Sequence, residues 1–454
     1  MPIRLNRLHA KKTGALRGVI ETPGRRVAAA PVPLIACAPD RIHVTAAASA
    51  THPIRQDAAL IGLVGLAHSI SHFSQLLLAP LFPWLKDAFA VSYAELGLLM
   101  TIFFVVSCIV QTASGFVVDR FGPRPVLFGG LGLLGLAAFG FAASQTYAML
   151  AGFSVLAGIG NGVFHPVDYT LLNRKVHASR LGHAFSVHGI TGSLGWALAP
   201  ALLVPLTIAF SWRVALVCAG GLAFAVLLVL VFNRRHLHLD ALPAPKAISA
   251  SASAHAGGDL DFLRIPAVWM CFAFFFFYAM ALSGVQAFAP EAARILHAVP
   301  TAAAAMCLTI YMVASAGGMV VGGFLAANPA RCERIVGLGF SCAAAIALVI
   351  GFADVPAAAV PALFGAMGLG AGIAAPSRDL LVKRSSPENA TGRVYGVVYS
   401  GLDIGQAVAP LLFGTLMDLH HPSQVWLGIA IVQIVMVASA FRVQRVRRTG
   451  LAPA

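Results

Sequence analysis

The stretch GIGNGVFHPVDYTLL, residues 158–172, lies inside a long apolar run and yet contains an asparagine, a histidine and an aspartate. Its three glycines and its proline recur 210 residues later in GLGAGIAAPSRDLLV, residues 368–382. The same offset relates glycines, an alanine and a proline of residues 182–200 to their counterparts in residues 392–410. A register that holds across a loop and two apolar runs predicts a chain built from two related halves.

The composition predicts a membrane protein. Of the 454 residues, 59% are hydrophobic and only 11% are charged, whereas soluble chains carry about 25% charged residues. The apolar runs are long enough for transmembrane helices and alternate too rarely for an outer-membrane barrel. We therefore predict an all-α polytopic membrane protein with 12 transmembrane helices in two pseudosymmetric six-helix bundles. The predicted spans are residues 58–82, 93–118, 125–143, 147–172, 182–207, 212–233, 265–290, 300–326, 335–353, 356–382, 392–417 and 423–441.

Composition shifts along the chain predict five regions. Residues 1–57 are rich in Ala, Pro and Arg and lack a long apolar run, which predicts a basic, disordered tail rather than a secretory signal. Residues 58–233 and 265–441 are the two predicted bundles. The Ser-, Ala- and Pro-rich segment 234–264 is typical of a flexible linker. Residues 442–454 form a basic C-terminal tail.

The basic residues predict the orientation. If both termini are cytoplasmic, only Lys86, Arg213 and Arg294 lie outside the cell and Arg378 falls within a span, out of 31 Lys and Arg. This asymmetry follows the positive-inside rule. It explains the net charge of +14 without a nucleic-acid partner. We predict a multi-pass protein of a bacterial inner membrane, in contact with the lipid bilayer.

Polar and ionisable side chains fall on some of the predicted spans, where they are costly and therefore indicate function. On the first and fourth spans they follow an i, i+4, i+7 spacing, which places them on one face of each helix. We interpret these faces as the wall of a cavity for a small-molecule substrate and for protons. The candidate pathway residues are His68, His72, Gln75, Asn161, His165, Asp168, His188, Gln286, Arg378 and Asp403.

Two of these residues, His72 and Asp403, are candidate proton carriers, since histidine and a desolvated aspartate both titrate toward neutral pH. Hydrogen-bonded packing is the alternative for both, and the roles of His165 and His188 stay equally open. Histidines four residues apart can also chelate a metal, which would join His68, His72 and His165. No cysteine or carboxylate cluster reinforces that pattern, so we predict no metal site.

The 210-residue offset places Arg378 opposite Asp168 by pseudosymmetry. One interpretation is a structural pair across the two bundles near the cytoplasmic ends of their spans. The other is that Arg378 binds an anionic substrate, because a guanidinium suits carboxylate or phosphate. Nothing in the sequence indicates an enzyme or a cofactor: there is no phosphate-binding loop for ATP, and no catalytic residue is predicted.

The loop after the second span, GFVVDRFGPRP at residues 115–125, resembles the signature loop of the major facilitator superfamily, with Pro125 in place of a final basic residue. The corresponding loop from Gly323 has Ala327 where the first has Asp119. The resemblance implies a monomeric transporter whose spans one, four, seven and ten line a central cavity. It implies that the loop is a conformational gate that contacts the span starting near residue 392; an orientation-setting charged turn is the alternative. The candidate gate residues are Gly115, Asp119, Arg120, Gly122 and Arg124.

The function that follows is secondary active transport by alternating access. The stretch GNGVFHP at residues 160–166 resembles the fourth span of fosmidomycin-resistance-type exporters, which favours proton-coupled efflux of a drug-like or metabolite compound. The stretch GITGSLGWALAP at residues 189–200 resembles the motif of drug–proton antiporters, except that Ala199 replaces a glycine, so obligate antiport stays open. The alternatives are a proton symporter that imports an organic anion and, third, a membrane receptor without flux.

Overall fold

The computed structural model describes the backbone of residues 54–239, 264, 266–326, 331–385 and 392–450. Side chains are described for the same residues apart from 267, 379–385, 392–397, 399 and 439–450. Most of the predicted N-terminal tail and of the predicted linker lies outside these ranges, whereas the backbone of residues 442–450 of the predicted C-terminal tail is helical. The predictions for those segments stay predictions.

The described residues form fifteen α-helices and no β-strand, so the all-α prediction is confirmed. Several helices begin or end within a few residues of the predicted spans. The helices are α1 (Ile54–Gln75), α2 (Phe82–Phe89), α3 (Tyr93–Phe121), α4 (Pro123–Ala143), α5 (Tyr147–Asn161), α6 (Phe164–Lys175), α7 (Leu181–Ala209), α8 (Trp212–Phe232), α9 (Pro266–Ala287), α10 (Ala289–His297), α11 (Thr301–Leu325), α12 (Cys332–Phe352), α13 (Val360–Ser385), α14 (Gly392–Asp418) and α15 (Pro422–Gly450).

The helices have the length and surface of membrane spans. Ten helical segments among the described residues are long and apolar enough to cross a bilayer. They match the first ten predicted spans, while α14 and α15 occupy the ranges of the last two. Large apolar side chains such as Phe116 and Phe324 are 80% exposed, which a soluble monomer would avoid over so wide a surface. The chain is therefore a multi-pass membrane protein; the number twelve and the two bundles stay predictions.

The glycines that relate the two halves of the sequence also make related contacts. A Cβ atom added at Gly158 would meet the carbonyl oxygen of Phe103 on α3, and one added at Gly368 would meet that of Tyr311 on α11. Gly162 and Gly372 meet the carbonyl oxygens of the serines four residues further along the same two helices. These glycines let the backbones approach closely. The repeat in sequence is thus also a repeat in helix packing.

Two extensive interhelical contacts join the helices before the predicted linker to those after it. Helix α3 packs along α14, and α7 packs along α11. Gly97 of α3 lies so close to α14 that an added Cβ atom would meet the carbonyl of Pro410. Within the first half, α1 packs against both α6 and α7. This last arrangement brings together the polar side chains described next.

Candidate functional site

Four histidines and an aspartate from three helices form one buried cluster. His68 and His72 come from adjacent turns of α1, His165 and Asp168 from α6, and His188 from α7. The i, i+4 spacing on α1 and the i, i+3 spacing on α6 aim each pair at the same space. We call these five residues the histidine cluster. They lie together because α1 packs on both other helices.

Asp168 is the centre of the histidine cluster. Its carboxylate is fully buried, and its Oδ2 atom lies 3.1 Å from Nε2 of His188 and 3.1 Å from Nδ1 of His68. The contact with His188 has hydrogen-bond geometry. The rings of His68 and His188 stack with their centroids 3.5 Å apart. One carboxylate therefore serves two imidazoles inside a helical membrane protein.

A break in the fourth predicted span positions Asp168. The prediction was one helix over residues 147–172, but α5 ends at Asn161 and α6 begins at Phe164. Pro166 has no N–H to donate to the carbonyl of Gly162, four residues earlier. The hydroxyl of Ser114 on α3 donates to that carbonyl instead, at 3.2 Å. Helix α13, in contrast, continues through its own Pro376.

The pair between Asp168 and Arg378, one of the two interpretations left open by the sequence, is not formed between these described side chains. The partners of Asp168 are His68 and His188, and the guanidinium of Arg378 lies over the ring of Tyr278, 4.2 Å from its centroid. Pseudosymmetry placed the two residues at equivalent heights. It could not predict that imidazoles on α1 and α7 would lie within 3.1 Å of the Asp168 carboxylate in its place.

A hydrogen-bonded chain continues from the histidine cluster along α1. Asn161 accepts from the hydroxyl of Ser71 at 2.7 Å and donates to the hydroxyl of Ser107 at 2.8 Å. Gln75 donates to Asn161 at 3.4 Å and accepts from the indole N–H of Trp196 at 2.9 Å. These hydrogen bonds join the predicted residues Gln75 and Asn161 to Ser71, Ser107 and Trp196, which no pattern in the sequence indicated. The ring of Trp196 lies against that of His72, with centroids 4.2 Å apart, and so places this group beside the histidine cluster.

The remaining predicted pathway residues lie apart from the histidine cluster. Asp403 on α14 faces α3, where Gln111 donates to its Oδ2 atom at 3.3 Å and the thiol of Cys108 is also a hydrogen-bond partner. Gln286 on α9 is 2% exposed, and neither atom of its amide has a hydrogen-bond partner among the described residues. Arg378 is half-buried on α13. The roles assigned to these residues stay predictions.

A second polar group lies at the end of α3 that begins at Tyr93, which we call the Tyr93 end. The carboxylate of Asp418 accepts from the backbone N–H groups of Tyr93 and Ala94, both at 2.8 Å. The hydroxyl of Tyr93 donates to Glu291 at 2.9 Å. Glu291 also accepts two hydrogen bonds from Arg294, which raise the pKa of that guanidinium. These contacts connect α3 with α10 and α14.

The predicted gate loop lies at the opposite end of α3. Asp119 and Arg120 are exposed, and Arg124 is half-buried at the start of α4. Gly122 ends α3 with φ of 81°, a backbone conformation that L-residues with a side chain rarely adopt. Gly115 has open space around its Cα atom. Asp119 was predicted to contact the first turn of α14, but the side chains of that turn lie outside the described residues. Ala327, its counterpart in the second half, also lies outside them.

Known proteins are similar to this chain in sequence. Residues 64–410 match the family model described as Major Facilitator Superfamily. The fosmidomycin resistance protein of Escherichia coli is 28% identical over 161 residues, which are 35% of this chain and 39% of that protein. The probable nitrate/nitrite transporter NarK2 of Mycobacterium tuberculosis is 24% identical over 375 residues, which are 80% of this chain and 90% of that protein.

A solved structure shows the same fold. It is a bacterial homologue of the human lysosomal transporter Spinster, in an inward-facing and occupied conformation. It superposes with a TM-score of 0.67 at 14% sequence identity, covering 86% of this chain and 97% of that one. The arrangement of helices around the histidine cluster is therefore a known architecture.

Proposed function

The chain belongs to the Major Facilitator Superfamily, and from that premise we propose that it exports a drug-like or metabolite compound across a bacterial inner membrane in exchange for protons. It acts as a monomer and a transporter rather than an enzyme, needs no cofactor, and works by alternating access with both termini in the cytoplasm. The observation that carries the proposal is the position of Asp403. An ionisable residue inside a span is costly and marks a pathway.

Asp403 is the proposed proton carrier. It lies where α14 packs along α3, and Gln111 donates to its carboxylate. Among the described residues, the thiol of Cys108 is the titratable group in contact with it. A proton on the carboxylate removes a charge from this interface. Loading and release of the proton would therefore change the free energy of the α3–α14 contact, which is what coupling to a conformational change requires.

The two ends of α3 supply the alternation. The contact of Asp418 with the first turn of α3 closes the Tyr93 end, which the proposed orientation places at the periplasm. The loop with Asp119 and Arg120 lies at the other end, proposed to be cytoplasmic. Asp119 and Arg120 are exposed, which supports a state that is open to the cytoplasm and closed to the periplasm. Export then needs the Tyr93 end to open while the Asp119 end closes.

The second candidate function is import of an organic anion with protons. Arg378 favours it, because a guanidinium over the ring of Tyr278 is placed to bind carboxylate or phosphate. The similarity to a probable nitrate/nitrite transporter over 80% of this chain also supports an anionic substrate. The similarity to the fosmidomycin resistance protein supports export. A receptor without flux is the third candidate, and any measured flux excludes it.

Proteoliposomes of known protein orientation, with a pH dye inside, test the proposal. Lipophilic drugs and small carboxylates are added in turn at the face equivalent to the periplasm. Exchange predicts that a drug enters while protons leave, so the interior becomes alkaline. Acidification on adding a carboxylate would establish anion symport and contradict export of that solute. Tight vesicles without proton movement for any compound would contradict proton coupling.

A further inference from the structure

We propose that His68, His165, His188 and Asp168 bind a divalent transition-metal ion. The three imidazoles each offer one nitrogen, and these nitrogens all lie within 4.8 Å of one another. The residues come from three different helices, α1, α6 and α7. The spacing of His68 and His72 suggests a chelating pair from one helix. The structure instead brings His188 of α7 to the ligand set.

The distances around Asp168 fit a metal ligand. Two ligands about 2.0 Å from a tetrahedral zinc ion lie about 3.3 Å apart. The Oδ2 atom of Asp168 is 3.1 Å from the nearest nitrogens of both His68 and His188. Both distances from Asp168 are therefore close to the spacing of neighbouring ligands around one ion, and the nitrogens of His68 and His188 lie within 4.8 Å of each other. His165 is half-buried at the edge of the group, with a ligand nitrogen within 4.8 Å of one on His68 and one on His188.

Three polar atoms of this group have no hydrogen-bond partner among the described residues. They are Nδ1 of His68, Nδ1 of His165 and Oδ1 of Asp168, all shielded from solvent. The contact of His68 with Asp168 is short but does not have hydrogen-bond geometry. A buried polar atom without a partner destabilises the fold, because it loses its hydrogen bonds to water and gains none in return. A cation at the centre of the group would use such lone pairs.

The donor set selects the class of ion. Three imidazoles and one carboxylate suit borderline divalent ions such as Zn²⁺, Co²⁺ and Ni²⁺. Thiolate ligands, which would favour Cu⁺, do not contribute to this group. Mg²⁺ and Ca²⁺ prefer oxygen ligands, and only Asp168 offers oxygen. The single carboxylate also balances part of the charge of the ion, which matters in a buried site.

Binding to purified, full-length protein in detergent tests the site independently of transport. The purification tag must not contain histidine, and a chelator first removes bound metal. Co²⁺ is then titrated while its visible absorption is followed, and Zn²⁺ is added as a competitor. We expect one equivalent of Co²⁺ with the intense absorption of a tetrahedral ion, displaced by Zn²⁺. Metal retained through purification without added ion indicates a resident ion, and Zn²⁺ uptake into vesicles indicates cargo.

Matched variants locate the ion. His188→Gln and His165→Gln each remove one ligand, and we expect each to weaken Co²⁺ binding by on the order of 100-fold. His183→Gln on the same helix α7 is the control, because His183 is exposed and should leave binding unchanged. Thermal unfolding of each variant checks that it folds. His188→Gln removes the hydrogen bond to Asp168 and so could prevent folding. In that case His165→Gln decides the question, because His165 makes no hydrogen bond to Asp168 among the described residues.

Two results would overturn the site. One is a stripped protein that binds neither Co²⁺ nor Zn²⁺ more tightly than millimolar. The other is that His165→Gln and His188→Gln bind Co²⁺ as tightly as the His183→Gln control does. That result would assign the ion to histidines elsewhere on the chain. Either result leaves export by Asp403 intact, since that proposal is measured by flux. Conversely, absence of flux leaves the binding experiment valid.

Discussion

Asp418, the last residue of α14, caps the first turn of α3 by accepting from the backbone N–H of Tyr93 at 2.8 Å. The neighbouring N–H of Ala94 donates to the second carboxylate oxygen, also at 2.8 Å. A carboxylate at a helix N-terminus is stabilised by the helix dipole and by the free N–H groups. This cap joins residues that are 325 positions apart in the chain.

Replacing the capping residue should open the Tyr93 end. Asp418→Asn keeps one acceptor oxygen but loses the charge and the second hydrogen bond. We expect the closed state to lose about 1–2 kcal/mol, which shifts the population roughly 5- to 30-fold. The measurement is labelling of Ala304→Cys, a buried cavity-lining position, by a membrane-impermeant maleimide in a background without other cysteines. Asp354→Asn, at an exposed position, serves as the control. Equal labelling of both variants would contradict the proposal that Asp418 keeps the Tyr93 end closed.

Removal of the proposed proton carrier should separate solute movement from proton movement. Asp403→Asn keeps a similar shape next to Gln111 but cannot take up a proton at physiological pH. We expect solute-driven proton flux to fall at least ~10-fold, while exchange of labelled solute against unlabelled solute continues. Asp87→Asn, at an exposed position, should keep both. Normal proton flux in Asp403→Asn would remove Asp403 from the coupling mechanism.

Arg378 separates the two candidate functions. If the protein is a drug exporter, Arg378→Ala should slow all transported compounds alike, because the change then acts on a conformational step. If the protein imports anions, the apparent affinity for anions alone should collapse. Arg378→Lys keeps the charge but loses the planar contact with Tyr278, a contact worth about 0.5–2 kcal/mol. Transport rates and KM values for one anion and one neutral drug measure the difference.

The glycine after α3 should be required for its backbone conformation. Gly122 has φ of 81°, and no atom lies within 4 Å of the place where a Cβ would stand. Gly122→Ala therefore costs conformational strain alone, about 1–3 kcal/mol, because its φ of 81° and ψ of 159° lie in a region that is essentially specific to glycine. Gly129→Ala is the matched control, because it lies inside α4 with equal space and an ordinary φ, and alanine there should stabilise the helix slightly. Thermal unfolding in detergent measures both, and equal midpoints would contradict the argument.

The sequence predicted the helices well because the bilayer dictates their length and hydrophobicity. It also predicted the polar faces of the first and fourth spans, since His68 and His72, like His165 and Asp168, share a helix and a spacing. It did not predict that His188 would join them, because that depends on how α7 rotates against α1. Nor did it predict the cap by Asp418. Such contacts depend on tertiary packing and leave no periodic signal in the chain.

The break near Pro166 is a second case. A proline inside a helix removes one backbone hydrogen bond, and the structure ends α5 at Asn161, five residues before Pro166. The hydroxyl that satisfies the freed carbonyl of Gly162 comes from Ser114 on a different helix. Sequence rules locate the missing hydrogen bond but not the group that replaces it.

Helix α3 is about 43 Å long and contacts three functional groups along its length. Tyr93 meets Asp418 at one end, Gln111 meets Asp403 in the middle, and Ser114 holds the carbonyl beside the histidine cluster. An inhibitor that wedges between α3 and α14 would therefore disturb both the proposed gate at Tyr93 and the proposed proton carrier Asp403 in a single event. Resistance selected against such a compound should arise on α3 or α14 and should carry a transport defect, which makes this interface the most promising place to target the protein.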